Sequence, residues 1–262
     1  MFDKVMISVP MEQFPSLAFE RARDLSEYLG SRLLVSYVIE DDLFERVSVS
    51  SLHVVTGKDQ ELWERKMIAT HEKIARDVVV KEAKRLTGRN DLELRIVRGG
   101  YAGALSRVIE EEGCDMILME YHSFDLLKYR IMDRSPVPVW IERHKGPIRR
   151  IGLFCTNLAP NERAPGAARK LKKAFGAGLE SYYILDPGGD VDEGREEPEL
   201  ISARDRIKWT GVVHDRVESF ITKRSKENDL DLIILGRIRK RGYFHLRSKF
   251  AKKTGASVLL IN

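Results

Sequence analysis

The stretch EEEGCDMILME at residues 110–120 has a counterpart in KENDLDLIILG at 226–236. Each is a polar turn with an Asp, Asp115 or Asp231, that feeds a short apolar run. Such a run after a polar turn reads as a strand buried on both faces, the habit of parallel sheets. Its recurrence at corresponding places in the two halves predicts a repeated unit.

Working outward, the flanks match as well. Upstream of each strand stands a helical pattern, 102–112 and 214–225, preceded by the strand-like runs LELRIVRGG (92–100) and RIKWTGVV (206–213). Downstream come basic and aromatic residues and then a final strand, VPVWIE (137–142) or SVLLIN (257–262). The halves open on KVMISV (4–9) and RIGLFC (150–155). In the first, Leu17, Ala18, Ala22, Leu25 and Leu29 recur at helical spacing and Gly30 closes the helix. In the second, Ala167, Ala168, Leu171 and Phe175 do the same before Gly176. RLLVSYVI (32–39) and LESYYIL (179–185) follow as second strands.

Only the middles differ. The first half has a long helical pattern over 61–86, whereas the second has the acidic, Gly/Pro-rich DPGGDVDEGREEPE (186–199), which reads as a loop where a helix is lost or shortened. Gly146 and Pro147 mark His144–Arg149 as a linker, so the expected domains are 1–145 and 146–262. Five strands alternating with helices in each half predict an α/β protein: two tandem Rossmann-like domains, each a five-stranded parallel sheet with helices on both faces. The two final strands would each be an apolar edge. Pairing them with each other would cover both within one chain, with Trp140, Leu259 and Leu260 at the seam. A homodimer would then need another surface, such as the long first-half helix.

Composition narrows the class. No apolar stretch is long enough to span a bilayer, and MFDKVMISVP does not read as a signal peptide, so the expectation is a cytoplasmic protein. The two cysteines, Cys114 and Cys155, form no CxxC pair or Cys/His cluster, and read as buried thiols rather than a disulfide or zinc site. Residues 1–145 hold 22 Lys and Arg against 25 Asp and Glu, while 146–262 hold 23 against 15. A basic second half invites an anionic partner.

Together the β-α-β openings, a Gly-bearing turn before each third helix (Gly99–Gly100 and Gly211), the apolar strand ending at Gly236 and the final strand with Pro138–Val139 resemble the universal stress protein family, twice over. The resemblance implies an adenine-nucleotide-alpha-hydrolase-like fold. Its nucleotide-binding members have an Asp ending the first strand, a Gly-x-x-Gly turn after the fourth, and a Gly-Ser or Gly-Thr at a helix start. Glycine lets backbone N–H groups approach a phosphate, and the helix terminus adds a favourable dipole.

This chain departs from that pattern. In the first half Pro10 stands at the Asp position and Glu120 at the first Gly, which sets a carboxylate where a triphosphate would lie. In the second half Thr156 stands at the Asp position beside Asn157, and Gly236 is retained. The second Gly is replaced by Arg239, and RIRKRGYFHLRSKFAKK (237–253) brings eight Lys and Arg with no acid. Candidate ligand-binding residues are therefore Thr156, Asn157, Gly236, Arg237, Arg239, His245, Arg247 and Ser248. The same segment also reads as a solvated basic loop and helix face, or as a surface for a polyanion or an acidic protein.

No catalytic constellation emerges. His122 and His245 have no nucleophile-elbow context, and Glu110, Glu111 and Glu112 fan around a helix end instead of converging on a metal. Trp209, Tyr243 and Phe244 lie near basic residues, but no nucleic-acid-binding signature accompanies them. The expected function is a non-catalytic regulatory or stress-response binding protein acting through protein partners, with at most a remnant adenine-nucleotide or anion site in the second half. The alternative is a switch binding ATP or AMP, or a slow ATPase, built on that site.

Overall fold

The structure is a computed structural model that describes residues 1–41, 58–121, 135–188, 197–236, 238, 250 and 253–261, with side chains from 61 onward in the second of these segments. In the first half the strands are β1 (Lys4–Pro10), β2 (Arg32–Ile39), β3 (Glu93–Arg98), β4 (Met116–Glu120) and β5 (Val139–Glu142). Its helices are α1 (Ser16–Leu29), α2 (Lys58–Ile74), α3 (Val80–Thr87) and α4 (Tyr101–Glu112), with a π-helical turn, Ala75–Val79, joining α2 to α3. The second half has β6 (Arg150–Thr156), β7 (Gly178–Leu185), β8 (Gly211–His214), β9 (Leu232–Gly236) and β10 (Ser257–Ile261). Between them run α5 (Ala164–Phe175), α6 (Pro198–Asp205) and α7 (Val217–Glu227).

Two compact units result. One comprises Phe2–Glu120 with Asp125–Ser135, and the other comprises Met1, Tyr121–Phe124 and Pro136–Asn262. In the first unit β3, β2, β1 and β4 lie side by side and parallel. In the second, β8, β7, β6, β9 and β10 repeat that order in parallel, and β5 adds to the far side of β10. Right-handed crossovers through helices make this the natural winding of an α/β sheet. β1, β4, β6 and β9 are buried along almost their whole length, which is why their sequences read as continuous apolar runs.

The helical periods also hold. α1 buries Ala18, Phe19, Ala22 and Leu25, and α5 buries Ala164, Ala167, Ala168 and Leu171. Gly30 and Gly176 end these helices at φ 69° and 63°, the left-handed turn that glycine adopts without strain.

β5 runs antiparallel to β10, with Trp140 opposite Leu259 and Val139 opposite Leu260. The expected pairing of the two final strands is thus present, and β5 is not parallel to this neighbour. A buried polar knot holds the end of the seam. The Glu142 carboxylate accepts from Trp140 Nε1 at 3.0 Å and the Arg143 amide at 3.2 Å, and is bonded to the Ser257 hydroxyl. Ser257 Oγ accepts in turn from the amides of Arg143 (3.1 Å) and His144 (3.0 Å).

Two sequence expectations need correction. The run RIKWTGVV is strand only from Gly211, so Gly211 opens β8 and does not match the Gly99–Gly100 turn before α4. The second-half middle keeps a short helix, α6, which starts in the last two residues of the stretch read as a loop and runs on past it, so the helix there is shortened and not lost. Its first residue, Pro198, tolerates the helix start because it lacks an N–H.

Candidate functional site

In an open parallel sheet, ligands bind beyond the carboxyl ends of the strands, so the ends of β1, β4, β6 and β9 decide what each repeat can hold. In the first repeat β4 ends on Glu120. Its Oε2 accepts from the amides of Leu17 at 2.8 Å and Ala18 at 3.4 Å, the first turn of α1. That turn has no cap of its own, since the preceding residue is Pro15. A helix N-terminus offers free N–H groups and a positive dipole to an anion, and here the anion is the protein's own carboxylate.

In the second repeat β9 ends on Gly236, and the chain itself comes close. A Cβ at residue 236 would lie 2.3 Å from the Pro160 carbonyl oxygen and 3.1 Å from Ala159 Cβ. The loop that makes this approach is braced. The Thr156 amide donates to Asn161 Oδ1 (3.2 Å), Asn161 Nδ2 donates to the Thr156 carbonyl (2.9 Å), and Thr156 Oγ1 accepts from the Leu158 amide (3.0 Å). Glycine at 236 is therefore required by a backbone neighbour.

Asn157 is held just as firmly. Its side chain donates to the Asp186 carbonyl at 3.1 Å and accepts from the Asp186 amide at 2.9 Å, while its own amide donates to the Ile184 carbonyl at 3.2 Å. The buried Asp186 carboxylate accepts from the amides of Gly188 and of Val217 at the start of α7, both at 2.8 Å. β6, β7 and α7 are thus tied together at their crevice ends through Asn157 and Asp186. Sequence reasoning missed Asp186, Asn161 and Pro160. An Asp directly after LESYYIL and before Pro-Gly-Gly was the available signal for the first of them.

Of the candidate ligand-binding residues, Thr156, Asn157 and Gly236 gather at the ends of β6 and β9, and their polar groups serve this internal bracing. Arg237, Arg239, His245, Arg247 and Ser248 lie outside the described residues, as do His122, Tyr243 and Phe244. Trp209 is described: its Nε1 donates to the Pro198 carbonyl at 2.8 Å, and its ring meets Tyr183 edge-on at 5.9 Å.

The titratable groups of the first repeat fit structural duties. Lys4 reaches Glu93 at 3.1 Å and Glu112 at 3.0 Å, and Glu112 also pairs with Arg95. Burial opposes the charge on Lys4, and the hydrogen bonds to the two carboxylates outweigh it and raise its pKa. Burial pushes the Cys114 thiol up to about 11, which keeps it protonated and unreactive. Both cysteines are buried, and neither is in a disulfide. Tyr37 bonds His71 Nδ1 at 2.7 Å; burial raises the phenol to about 12 and lowers the imidazole. Among the described residues no His, Cys, Asp and Glu cluster could hold a metal ion, and no helix is long and apolar enough to cross a membrane.

No family model matches the sequence, and no curated protein matches it either. Solved structures do. A universal stress protein from Archaeoglobus fulgidus DSM 4304 is similar over 98% of this chain and 96% of its own, with a TM-score of 0.68 at 14% identity. A putative universal stress protein from Pseudomonas aeruginosa UCBPP-PA14 is similar over 99% and 93%, with a TM-score of 0.60 at 12% identity. The cytoplasmic domain of a prokaryotic cation chloride cotransporter is similar over 99% and 95%, with a TM-score of 0.53 at 12% identity. The chain therefore has the tandem universal-stress-protein fold: an α/β, Rossmann-like repeat occurring twice.

Proposed function

We propose that this protein is a non-catalytic, stress-response or regulatory binding module of the universal-stress-protein kind, cytoplasmic and acting through protein partners. One observation carries the reading: both crevices are occupied by the chain itself, the first by the Glu120 carboxylate on α1 and the second by the Pro160 carbonyl against Gly236. A triphosphate in the first repeat would have to displace a carboxylate at 2.8 Å from the amide it needs. The same fold forms the cytoplasmic domain of a cation chloride cotransporter, which fits a module that works through its surface. We further propose the repeat boundary at the His144–Arg149 linker and a homodimer formed through a surface other than the β5–β10 seam.

A narrower second reading draws on the retained Gly236. It places a remnant adenine-nucleotide or anion site in the second repeat, with Thr156, Asn157 and Gly236 at its floor and Arg237, Arg239, His245, Arg247 and Ser248 as donors. This would be an ATP or AMP switch or a slow ATPase. Calorimetric titration of the whole chain with ATP and with AMP separates the two. The binding-module reading expects no site in the first repeat and at most one weak site, lost in R239A/R247A. Micromolar binding at two sites per chain would overturn it.

A further inference from the structure

At the opposite ends of the strands the second repeat carries a feature that the crevice does not explain. An open cleft of about 740 Å³ is lined by Arg169 and Lys172 of α5, Leu179 and Ser181 at the start of β7, and residues 206–210, which lead into β8. Four of its lining residues are cationic: Arg169, Lys172, Arg206 and Lys208. None is a carboxylate. All four are exposed. Among the described residues Lys172, Arg206 and Lys208 have no ion-pair partner. Arg169 reaches Asp205 only at 3.7 Å, and that carboxylate is already bonded by Arg204 at 2.7 Å.

Surface cations are ordinarily interspersed with acids, because like charges gathered around a concavity repel one another and gain from an anion between them. Several other arginines of this chain have such neighbours: Arg85, Arg89, Arg95, Arg98 and Arg224 each pair with an acid. In the cleft three of the four cations lack such a partner among the described residues, and the fourth, Arg169, shares its acid with Arg204.

Its walls are also fixed. Thr210 and Ser181 exchange hydrogen bonds, the Thr210 amide to the Ser181 carbonyl at 2.7 Å and the Ser181 amide to Thr210 Oγ1 at 3.1 Å. The Thr210 hydroxyl keeps its proton for another acceptor. Trp209 is anchored by its bond to Pro198. Arg206 closes α6 at φ 51°, a left-handed position that glycine fills with less strain. A strained arginine facing a cation-lined cleft suggests that the side chain is wanted there.

The geometry points to a binding site for a small ligand bearing more than one phosphate, in the cleft between α5 and the amino-terminal ends of β7 and β8. Two guanidiniums offer planar forks to phosphate oxygens, and two ammoniums supply mobile point charges. This site is separate from the crevice beyond Gly236 and stands whether or not nucleotide binds there.

Inorganic tripolyphosphate is the probe, titrated calorimetrically into the whole chain at low ionic strength. Saturable binding is expected, weakening steeply with salt. Arg206→Gly combined with Lys208→Ala should weaken it by about tenfold or more, since two charge-assisted contacts are lost. Glycine at 206 relieves the left-handed strain, so an unchanged or raised melting temperature would show that the loss is not unfolding. R239A/R247A should leave the binding unchanged. The proposal is overturned by absent binding, by equal affinity in R206G/K208A, or by loss of binding in R239A/R247A. It is equally overturned if a single-stranded oligonucleotide binds the cleft and tripolyphosphate does not.

Discussion

The two repeats agree at the amino-terminal ends of their strands and part company at the carboxyl ends. Before β4, Asp115 accepts from the amides of Phe2 and Asp3 at 3.1 and 2.9 Å, and its own amide donates to the Lys4 carbonyl at 3.0 Å. Before β9, Asp231 accepts from the amides of Arg149 and Arg150 at 2.6 and 2.9 Å, and its amide donates to the Arg150 carbonyl at 3.0 Å. The same residue performs the same task, tying the entry of the first strand to the entry of the fourth. At the other end of those strands Glu120 caps α1, whereas Gly236 has no side chain and the N-cap residue of α5, Arg163, makes no side-chain cap. The shared half of each repeat builds the sheet. The divergent half sets what each crevice beyond the fourth strand can hold.

That contrast can be broken at several points. The largest effect is expected from Gly236→Ala, because the clash is with backbone and cannot be relieved by turning a side chain. A loss of about 3 kcal/mol in urea unfolding is expected. Full stability in G236A would mean that the Pro160 loop is loosely held and the crevice can open. Next, Asp115→Ala and Asp231→Ala should each cost about 2 kcal/mol, as each strands two amides that bond a charged acceptor. Similar losses would sharpen the equivalence of the repeats, and a large inequality would break it. The smallest effect is Glu120→Gln, which keeps an acceptor but removes the charge from the α1 terminus. About 1 kcal/mol is expected from the unfolding midpoint. No change at all would mean the carboxylate contributes nothing as an internal anion.

Much of the fold could be read from the chain because its cues are local. Met116–Met119 and Leu232–Leu235 are apolar without interruption, the spacing of Ala18, Ala22 and Leu25 marks one helix face, and Gly30 and Gly176 stand where helices must turn. The pairing of β5 with β10 followed from the cost of leaving two apolar edges bare. The candidate site was less legible. Gly236 looked like a remnant of a phosphate cradle, but its neighbour is Pro160, and that approach exists only once β6 and β9 lie side by side. Asn157 looked like a ligand donor, yet its side-chain amide is matched to the backbone of Asp186, just past the end of the β6–β7 ladder. Gly211 misled for a similar reason: a lone glycine before a helix suggests a turn, and here it is the first residue of β8, paired with Tyr182 of β7. The basic cleft collects residues from α5, β7 and the segment before β8, so no window of sequence displays it.

The antiparallel seam has a practical consequence for dissecting this protein. Severing the chain in the Gly146–Pro147 linker would look like a clean separation of halves, yet it would strip the C-terminal fragment of Val139–Glu142. Leu259 would lose Trp140, Ser257 would lose the carboxylate of Glu142, and a row of backbone amides and carbonyls would meet solvent beside apolar side chains. Such a fragment invites self-association through its bare strand, so apparent oligomers of it would report the cut. A fragment starting at Pro136 retains the partner strand and is the sounder unit for isolated study.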